Sequence, residues 1–346
     1  MTINDLVPDT TTQQQVRPAA VVADVLRIER LDVTVNDGAR TAVRGASLRV
    51  RRGETVGIVG ESGSGKTLTC RAVLGVLAPG CDLAGGSINL QGRDIAHLNR
   101  SEWQSVRGRT IGAVFQDPAS YLNPSITVGH QLVEALRAAS RISRRDAKAR
   151  AIELFEAVGL RRPEHVYKQP PAELSGGMLQ RVLIAIAISG EPDLLVADEA
   201  TTALDVTIQA EVIELLLRLR AERGLAVLFV SHDLAVISEL CDRTVVFYAG
   251  EVVESGPTQE ILRNPRHPYT RALLKVASVG DYSRRDLDVV PGQPPAVGEA
   301  ITGCRFAARC EFAADDCWRA AIPLAALASD HDARCIRVDE LATVSR

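Results

Sequence analysis

The chain has 346 residues, 46% of them hydrophobic and 24% charged, with a formal net charge of −3. That length can bury a sizeable core in one large domain or two ordinary ones, and the charge balance excludes a general attraction to nucleic acid or to an acidic lipid surface. The longest apolar runs, such as "VLIAIAI" at 182–188, fall far short of the about 18 residues that span a bilayer, and the N-terminus has no basic segment followed by an apolar one.

Residues 1–24 ("MTINDLVPDTTTQQQVRPAA" and onward) are polar, Thr- and Gln-rich and without periodicity, which reads as a flexible N-terminal tail. From Val25 short apolar alternations ("LRIERLDVTV", "GASLRVRRGE") predict antiparallel strands, and later apolar runs alternate with helical patterns as in a parallel α/β sheet. "ETVGIVGESGSGKTLTCRAVLGVL" then sets a strand, a Gly-rich turn and a helix in succession, with Gly60, Gly65, Lys66 and Thr67 fitting G-x-x-x-x-G-K-[ST]. In that pattern the backbone N–H groups of Gly60, Glu61, Ser62, Gly63, Ser64 and Gly65 curl around phosphate oxygens. Lys66 reaches the β- and γ-phosphates, and Thr67 offers its hydroxyl to Mg²⁺. A merely flexible glycine loop would not need the strand before it and the Lys-Thr pair after it.

Between about Ala119 and Ala172, apolar positions recur every three or four residues ("VGHQLVEALRAASR", "RRDAKARAIELFEAVGL"), which predicts a helical insertion. "ELSGGMLQR" follows, with Ser175, Gly176 and Gly177 at the start of a further helix, where free N–H groups and the helix dipole favour a second anion contact. "DLLVADEATTALD" brings Asp198 and Glu199 to the C-terminal end of an apolar strand, the edge where open α/β sheets bind ligands. Asp198 is suited to hold Mg²⁺ and Glu199 to polarise the attacking water; the plainer alternative is a helix-capping cluster. "AVLFVSHD" carries His232 to the same edge, in reach of a γ-phosphate.

With the LSGG-x-x-Q element in place, the sequence resembles the ATPase subunits of ABC transporters over about residues 25–265. The resemblance implies a P-loop NTPase fold with a RecA-like core sheet, an antiparallel β subdomain and a helical subdomain at about 119–172. Gln116 in "VFQDP" matches the Q-loop and joins Thr67 and Asp198 as a Mg²⁺ contact; Thr202–Asp205 ("TALD") matches the D-loop; Gln180 closes the signature; and His232 matches the switch histidine. The family caps ATP on one subunit's P-loop with the signature of another, so Ser175, Gly176, Gly177, Gln180 and Asp205 are expected to serve a partner's nucleotide. Two positions depart from the pattern. "LDVTVNDG" offers only aliphatics, Val35 nearest, where an aromatic often stacks on adenine, and Ala200 stands where Pro usually follows the catalytic glutamate.

"LNPSITVGHQL", "SGGM", "TTALDVTIQAEV" and "HPYTRALL" further resemble the D-type ATPase of the dipeptide/oligopeptide permease group, which includes nickel and glutathione importers. That implies a second, non-identical ATPase subunit, two membrane permease subunits, an extracellular solute-binding protein and a peripheral position on the cytoplasmic face of the membrane, with no nucleic-acid partner. A soluble ABC ATPase of translation or DNA repair would need two cassettes or long insertions; a non-hydrolysing subunit would lack Glu199 or His232.

Past a Pro-rich transition near residue 266 lies a C-terminal extension, 266–346, holding four of the seven cysteines. Five, six and seventeen residues separate Cys304, Cys310, Cys317 and Cys335. In a reducing compartment clustered thiols point to a metal rather than to disulfides, and the spacing is looser than the tight pairs of structural zinc sites, leaving zinc and iron open. The resembled permease group carries this cysteine pattern with an iron–sulfur cluster, which implies a 4Fe-4S cluster here with zinc as the alternative. Cys70, Cys81 and Cys241 stand singly among apolar residues and receive no role.

Overall fold

The computed structural model describes residues 23–201, 205–278, 290–328 and 330–343. The expected tail up to residue 22, and residues 202–204 of the "TALD" segment, lie outside the described residues.

The chain opens with β1 (Asp24–Val35) and β2 (Arg40–Arg51), continues through β3 (Thr55–Val59) and α1 (Lys66–Leu74), and returns as β4 (Asp82–Leu90) and the short β5 (Arg93–Asp94). β1 pairs antiparallel with both β2 and β4, giving a four-stranded sheet in the order β2-β1-β4-β5. Its alternating sequence buries one face, with Leu26, Ile28, Val43 and Ile88 each at 1% exposure or less. α2 (Arg100–Val106) starts with a capping box between Asn99 and Glu102 and leads to β6 (Ile111–Val114).

Next come α3 (Val128–Ala139), α4 (Arg144–Ala157), the single turn α5 (Pro163–Val166) and α6 (Gly176–Ala187); the stretch expected as a helical insertion, about 119–172, holds α3, α4 and α5. Leu132, Leu136, Leu154 and Phe155 of α3 and α4 join Val182 and Leu183 of α6 in one core.

The remaining elements are β7 (Leu194–Asp198), α7 (Val206–Arg223), β8 (Ala226–Val230), α8 (Leu234–Leu240), β9 (Arg243–Tyr248), β10 (Glu251–Pro257), α9 (Thr258–Arg263), α10 (Pro268–Ser278), β11 (Ala325–Ala328), β12 (His331–Ala333) and α11 (Val338–Thr343). β9, β3, β8, β7 and β6 lie side by side and parallel, and β10, β12 and β11 extend that sheet antiparallel. Every residue of β3, β7 and β8 is buried, as expected of central parallel strands covered on both faces.

The C-terminal segment is built into this sheet instead of standing apart. Glu254 of β10 is fully buried, and its carboxylate accepts the N–H groups of Arg266 and His267 at 2.7 and 2.9 Å and pairs with His331 Nε2 at 2.9 Å. One acidic side chain thereby fixes both the turn into α10 and the β12 strand. Phe306 packs edge-on against Tyr248 and Tyr269, at ring-centre distances of 5.2 and 5.4 Å, and so joins the main core.

Candidate functional site

At the C-terminal end of β3 the chain turns through Gly60, Gly63 and Gly65, with φ of 147°, 77° and 105°. A Cβ at Gly60 would run into the Phe247 carbonyl of the neighbouring strand, so the turn accepts glycine alone there. Gly65 sits at the N-cap of α1 and offers no side chain, which leaves the first N–H groups of the helix free for an anion. Lys66 is buried to 6% exposure, and its ammonium donates to the Gly60 and Glu61 carbonyls at 2.8 Å each. Burial pulls its pKa below the usual lysine value, against the pull of Glu199 and Asp198. The buried Ser64 hydroxyl has no partner. A polyphosphate in the cleft would supply anionic oxygens to this desolvated ammonium.

β7 delivers the carboxylates. Thr67 Oγ1 donates to Asp198 Oδ1 at 3.3 Å, and burial pushes the Asp198 carboxyl above its ordinary value. A divalent cation between these two oxygens would reverse that cost, so the Thr67–Asp198 pair fits Mg²⁺. Glu199 adopts φ 53° while its N–H is held by the Val230 carbonyl at 3.0 Å, a strained backbone that turns its side chain into the cleft. His232 Nδ1 lies 3.9 Å from Glu199 Oε1. Lys66, Thr67 and Glu199 line one cleft of about 310 Å³, together with Ser62, Gly63 and Gly65 of the loop and Val35, Asn36, Arg40 and Ala42 of the antiparallel hairpin.

Other expected residues lie elsewhere. Gln116, just past β6, is exposed and does not line this cleft. Ser175 and Gly176 are exposed at the start of α6, where the Ser175 hydroxyl caps the helix by accepting from Met178 N at 3.3 Å. Gly177 packs so tightly on Ile208 that a Cβ would approach its Cγ2 to 2.6 Å. Gln180 is 1% exposed with its amide nitrogen unpartnered, facing the interior rather than the edge that Ser175 presents. Asp205 caps α7 through Ile208 N at 3.0 Å. Ser175, Gly176 and Gly177 do not line the cleft that Lys66, Thr67 and Glu199 share.

The ABC transporter family profile matches residues 43–202, and that of the oligopeptide/dipeptide transporter C-terminal region matches 253–317. The oligopeptide transport ATP-binding protein AppD of Bacillus subtilis is 41% identical over 300 residues, covering 86% of this chain and 92% of AppD. The chain belongs to the ABC transporter ATPases that carry this C-terminal region. The oligopeptide transport ATP-binding protein OppD of Mycobacterium tuberculosis is 45% identical over 301 residues, 86% of this chain but 49% of OppD. Among solved structures, cbiO1 of Clostridium perfringens, part of an ABC transporter complex, superposes with a TM-score of 0.62 at 26% identity, covering 74% of this chain and 94% of cbiO1. A dimeric ATP-binding cassette in a post-hydrolysis state with ADP and Pi gives 0.61 at 28% identity, covering 67% and 98%.

In this ABC ATPase the P-loop is also gripped from the C-terminal region, through a contact that no motif announces. Glu61 accepts two hydrogen bonds from Arg309, at 2.7 and 2.9 Å, and donates its own N–H to Tyr269 Oη at 2.8 Å. Arg309 also donates to the Val290 carbonyl at 2.6 Å and to Tyr248 Oη at 3.2 Å, and its side chain is 3% exposed. The paired carboxylate and the Tyr248 hydroxyl hold this guanidinium well above its usual pKa.

Next to Arg309, Cys304, Cys310, Cys317 and Cys335 line one small cavity of about 20 Å³ with Phe306 and Phe312. All four are free thiols. The sulfurs of Cys304, Cys310 and Cys335 accept the N–H groups of Phe306, Phe312 and Arg337, each two residues further on. Burial pushes the Cys304 thiol up to about 11 and raises Cys310 and Cys335 as well. Among the described residues no group of three or more His, Cys, Asp or Glu closes into a metal-ion shell. The expected metal site is thus a convergence of four sulfurs on one pocket and not a formed coordination sphere.

Proposed function

We propose that this chain hydrolyses ATP to energise import of di- and oligopeptides, paired head to tail with a second, non-identical ATPase subunit. The observation that carries this reading is the cleft lined by Lys66, Thr67 and Glu199, with Asp198 hydrogen-bonded behind Thr67, while Ser175 and Gly176 are exposed and do not line it. Lys66 and the glycine N–H groups hold the triphosphate, and Thr67 and Asp198 would hold a Mg²⁺ that neutralises charge on it. Glu199 orients water for in-line attack on the γ-phosphorus; the new P–O bond forms as the bond to ADP breaks, and His232 steadies the γ-phosphate oxygens. Ser175 does not line its own cleft, and on this reading the capping donors come from the partner subunit. The test is copurification with two permease subunits and a second ATPase, followed by ATP turnover with and without a peptide-loaded binding protein. Full turnover by the isolated monomer at high dilution overturns the paired reading.

The permease subunits are expected to dock beside the helical insertion, at the cytoplasmic face of the membrane. Supporting this is a groove of about 530 Å³ lined by Phe115, Tyr121, Leu122, Ile126 and Ala135, next to Gln116. Tyr121 stacks on Phe115 at 4.5 Å and is still 51% exposed. Among the described residues no helix is long and apolar enough to cross a membrane, so attachment would run through such contacts. Crosslinks from Tyr121 to a permease subunit test this; crosslinks confined to other faces contradict it.

The four cysteines would hold an iron–sulfur cluster, 4Fe-4S in type, as a structural element of the Cys-rich extension. In favour are the four-sulfur donor set around one pocket and the three N–H···S contacts, which stabilise thiolate charge. Anaerobic purification with assay of iron, acid-labile sulfide and zinc decides it; one zinc per chain without sulfide rejects the cluster.

A further inference from the structure

The nucleotide cleft has a wall that the P-loop motif does not account for. Val297, far along the C-terminal segment, lines the same cleft as Val35 and Ala42 of the antiparallel sheet. It is 44% exposed. A single exposed valine means little by itself, but this one is held where it is by several independent contacts. The Ala296 N–H donates to Glu299 Oε2 at 2.8 Å, and the Glu299 N–H returns to the Ala296 carbonyl at 3.0 Å, closing a tight turn around it. The buried Arg305 donates to the Glu299 carbonyl from both terminal nitrogens at 3.3 Å and anchors that turn to the C-terminal fold. Gly298 has φ 83° and lies so close to β2 that a Cβ there would meet Arg40 Cβ at 2.6 Å. A fixed turn, pressed onto β2 at a glycine, thus presents one aliphatic side chain to the nucleotide cleft.

The cleft itself is chemically mixed. Lys66, Thr67, Glu199 and the loop glycines give it a phosphate-binding lining; Val35, Ala42 and Val297 add aliphatic surface, and Asn36 and Arg40 line it as well. A nucleoside triphosphate is mixed in the same way, with a charged tail and a flat, weakly polar base. We propose that Val297 is a base-contacting residue of the ATP site, supplied by the C-terminal region, and that it and Val35 give adenine an aliphatic seat in place of an aromatic stack. This rests on the ATPase reading of the cleft. Aliphatic faces read shape and apolar area, so these two valines contribute affinity, and any reading of the hydrogen-bonding edge of the base falls to Asn36 and Arg40 of the same lining.

The experiment compares ATP with inorganic tripolyphosphate, which has the charged tail and no base, by calorimetric titration of the full-length protein with Mg²⁺. Tripolyphosphate binding by the wild type tests the phosphate site alone; its absence would remove the ATPase reading of the cleft and this proposal with it. Val297→Ala is expected to weaken ATP by roughly three- to tenfold, the effect of losing one or two buried methylene-sized contacts, with tripolyphosphate unchanged. Gly298→Ala, which must push the turn off Arg40, is expected to reproduce that pattern. GTP should lose a similar factor in Val297→Ala, because the valine meets the face of either base. ATP affinity unchanged in a folded Val297→Ala protein overturns the proposal, as does an equal loss for ATP and tripolyphosphate, which would mean that the valine acts on the loop and not on the base.

Discussion

The P-loop cleft and the four-cysteine pocket lie on either side of Arg309 and are built by opposite means. The cleft is made largely of main chain: three glycines at positive φ, an uncapped helix start, and one lysine held by loop carbonyls. Its shape is set by what the backbone permits, so it exists before any ligand arrives. The pocket is made of side chains carried by short turns, with Cys304, Cys310 and Cys335 raised by burial and, among the described residues, no closed metal shell. It would depend on its ligand for its own order, as small metal sites do. Preorganised backbone gives a site that tolerates change around it; a ring of side chains fails with any one member.

The sharpest contrast should come from Glu199→Gln. Removing the carboxylate that orients water is expected to cut turnover by about 10²- to 10⁴-fold while ATP still binds, because the loop that holds the phosphates is untouched; turnover and ATP affinity measured on the same preparation separate the two. Arg309→Ala is expected to cost about 3 kcal/mol, since it leaves Glu61 without its partner in a largely buried setting. A double-mutant cycle with Glu61→Gln in denaturant unfolding checks it, and additivity of the two would show that the pair is not coupled. Cys310→Ser is expected to destabilise the C-terminal region by about 2 kcal/mol, read as faster amide exchange around 304–335, with ATP affinity at Lys66 falling by less than about tenfold. Complete loss of ATP binding in that variant would break the contrast between the two regions. The smallest effect belongs to Asp205→Ala, about 1 kcal/mol from a lost helix cap at α7, measured as a change in denaturation midpoint.

How much of this could be read beforehand follows the same division. Gly60, Gly65, Lys66 and Thr67 are legible because backbone conformation restricts residue type at fixed spacing, and Asp198 and Glu199 because a fully buried strand must end where polar residues begin. The parallel core was legible for the same reason. The attachment of the C-terminal segment was not, since "AALA" in β11 and "HDA" in β12 have no strand pattern, and β12 finds its place against β10, where His331 also meets Glu254. The Glu61–Arg309 pair joins residues 248 positions apart, a separation at which local sequence carries no signal. Val297 is invisible for a similar reason: one valine in a Pro-rich stretch shows its role only once the turn at Gly298 lies against Arg40. Gln180 shows the opposite limit, a signature position whose side chain is turned inward in this structure.

The grip of Arg309 on Glu61 also works in reverse. Arg309 immediately precedes a cysteine of the pocket, and Glu61 belongs to the loop that receives the phosphates, so the free energy of ordering either region is shared with the other. Thermodynamic reciprocity then requires that whatever factor an ordered C-terminal region adds to ATP affinity, ATP adds to the ordering of that region. Nucleotide supply would thus set how long the cysteine pocket survives thermal opening, and an ATP-starved cell would hold this subunit in its most fragile form at the far end of the chain from the P-loop.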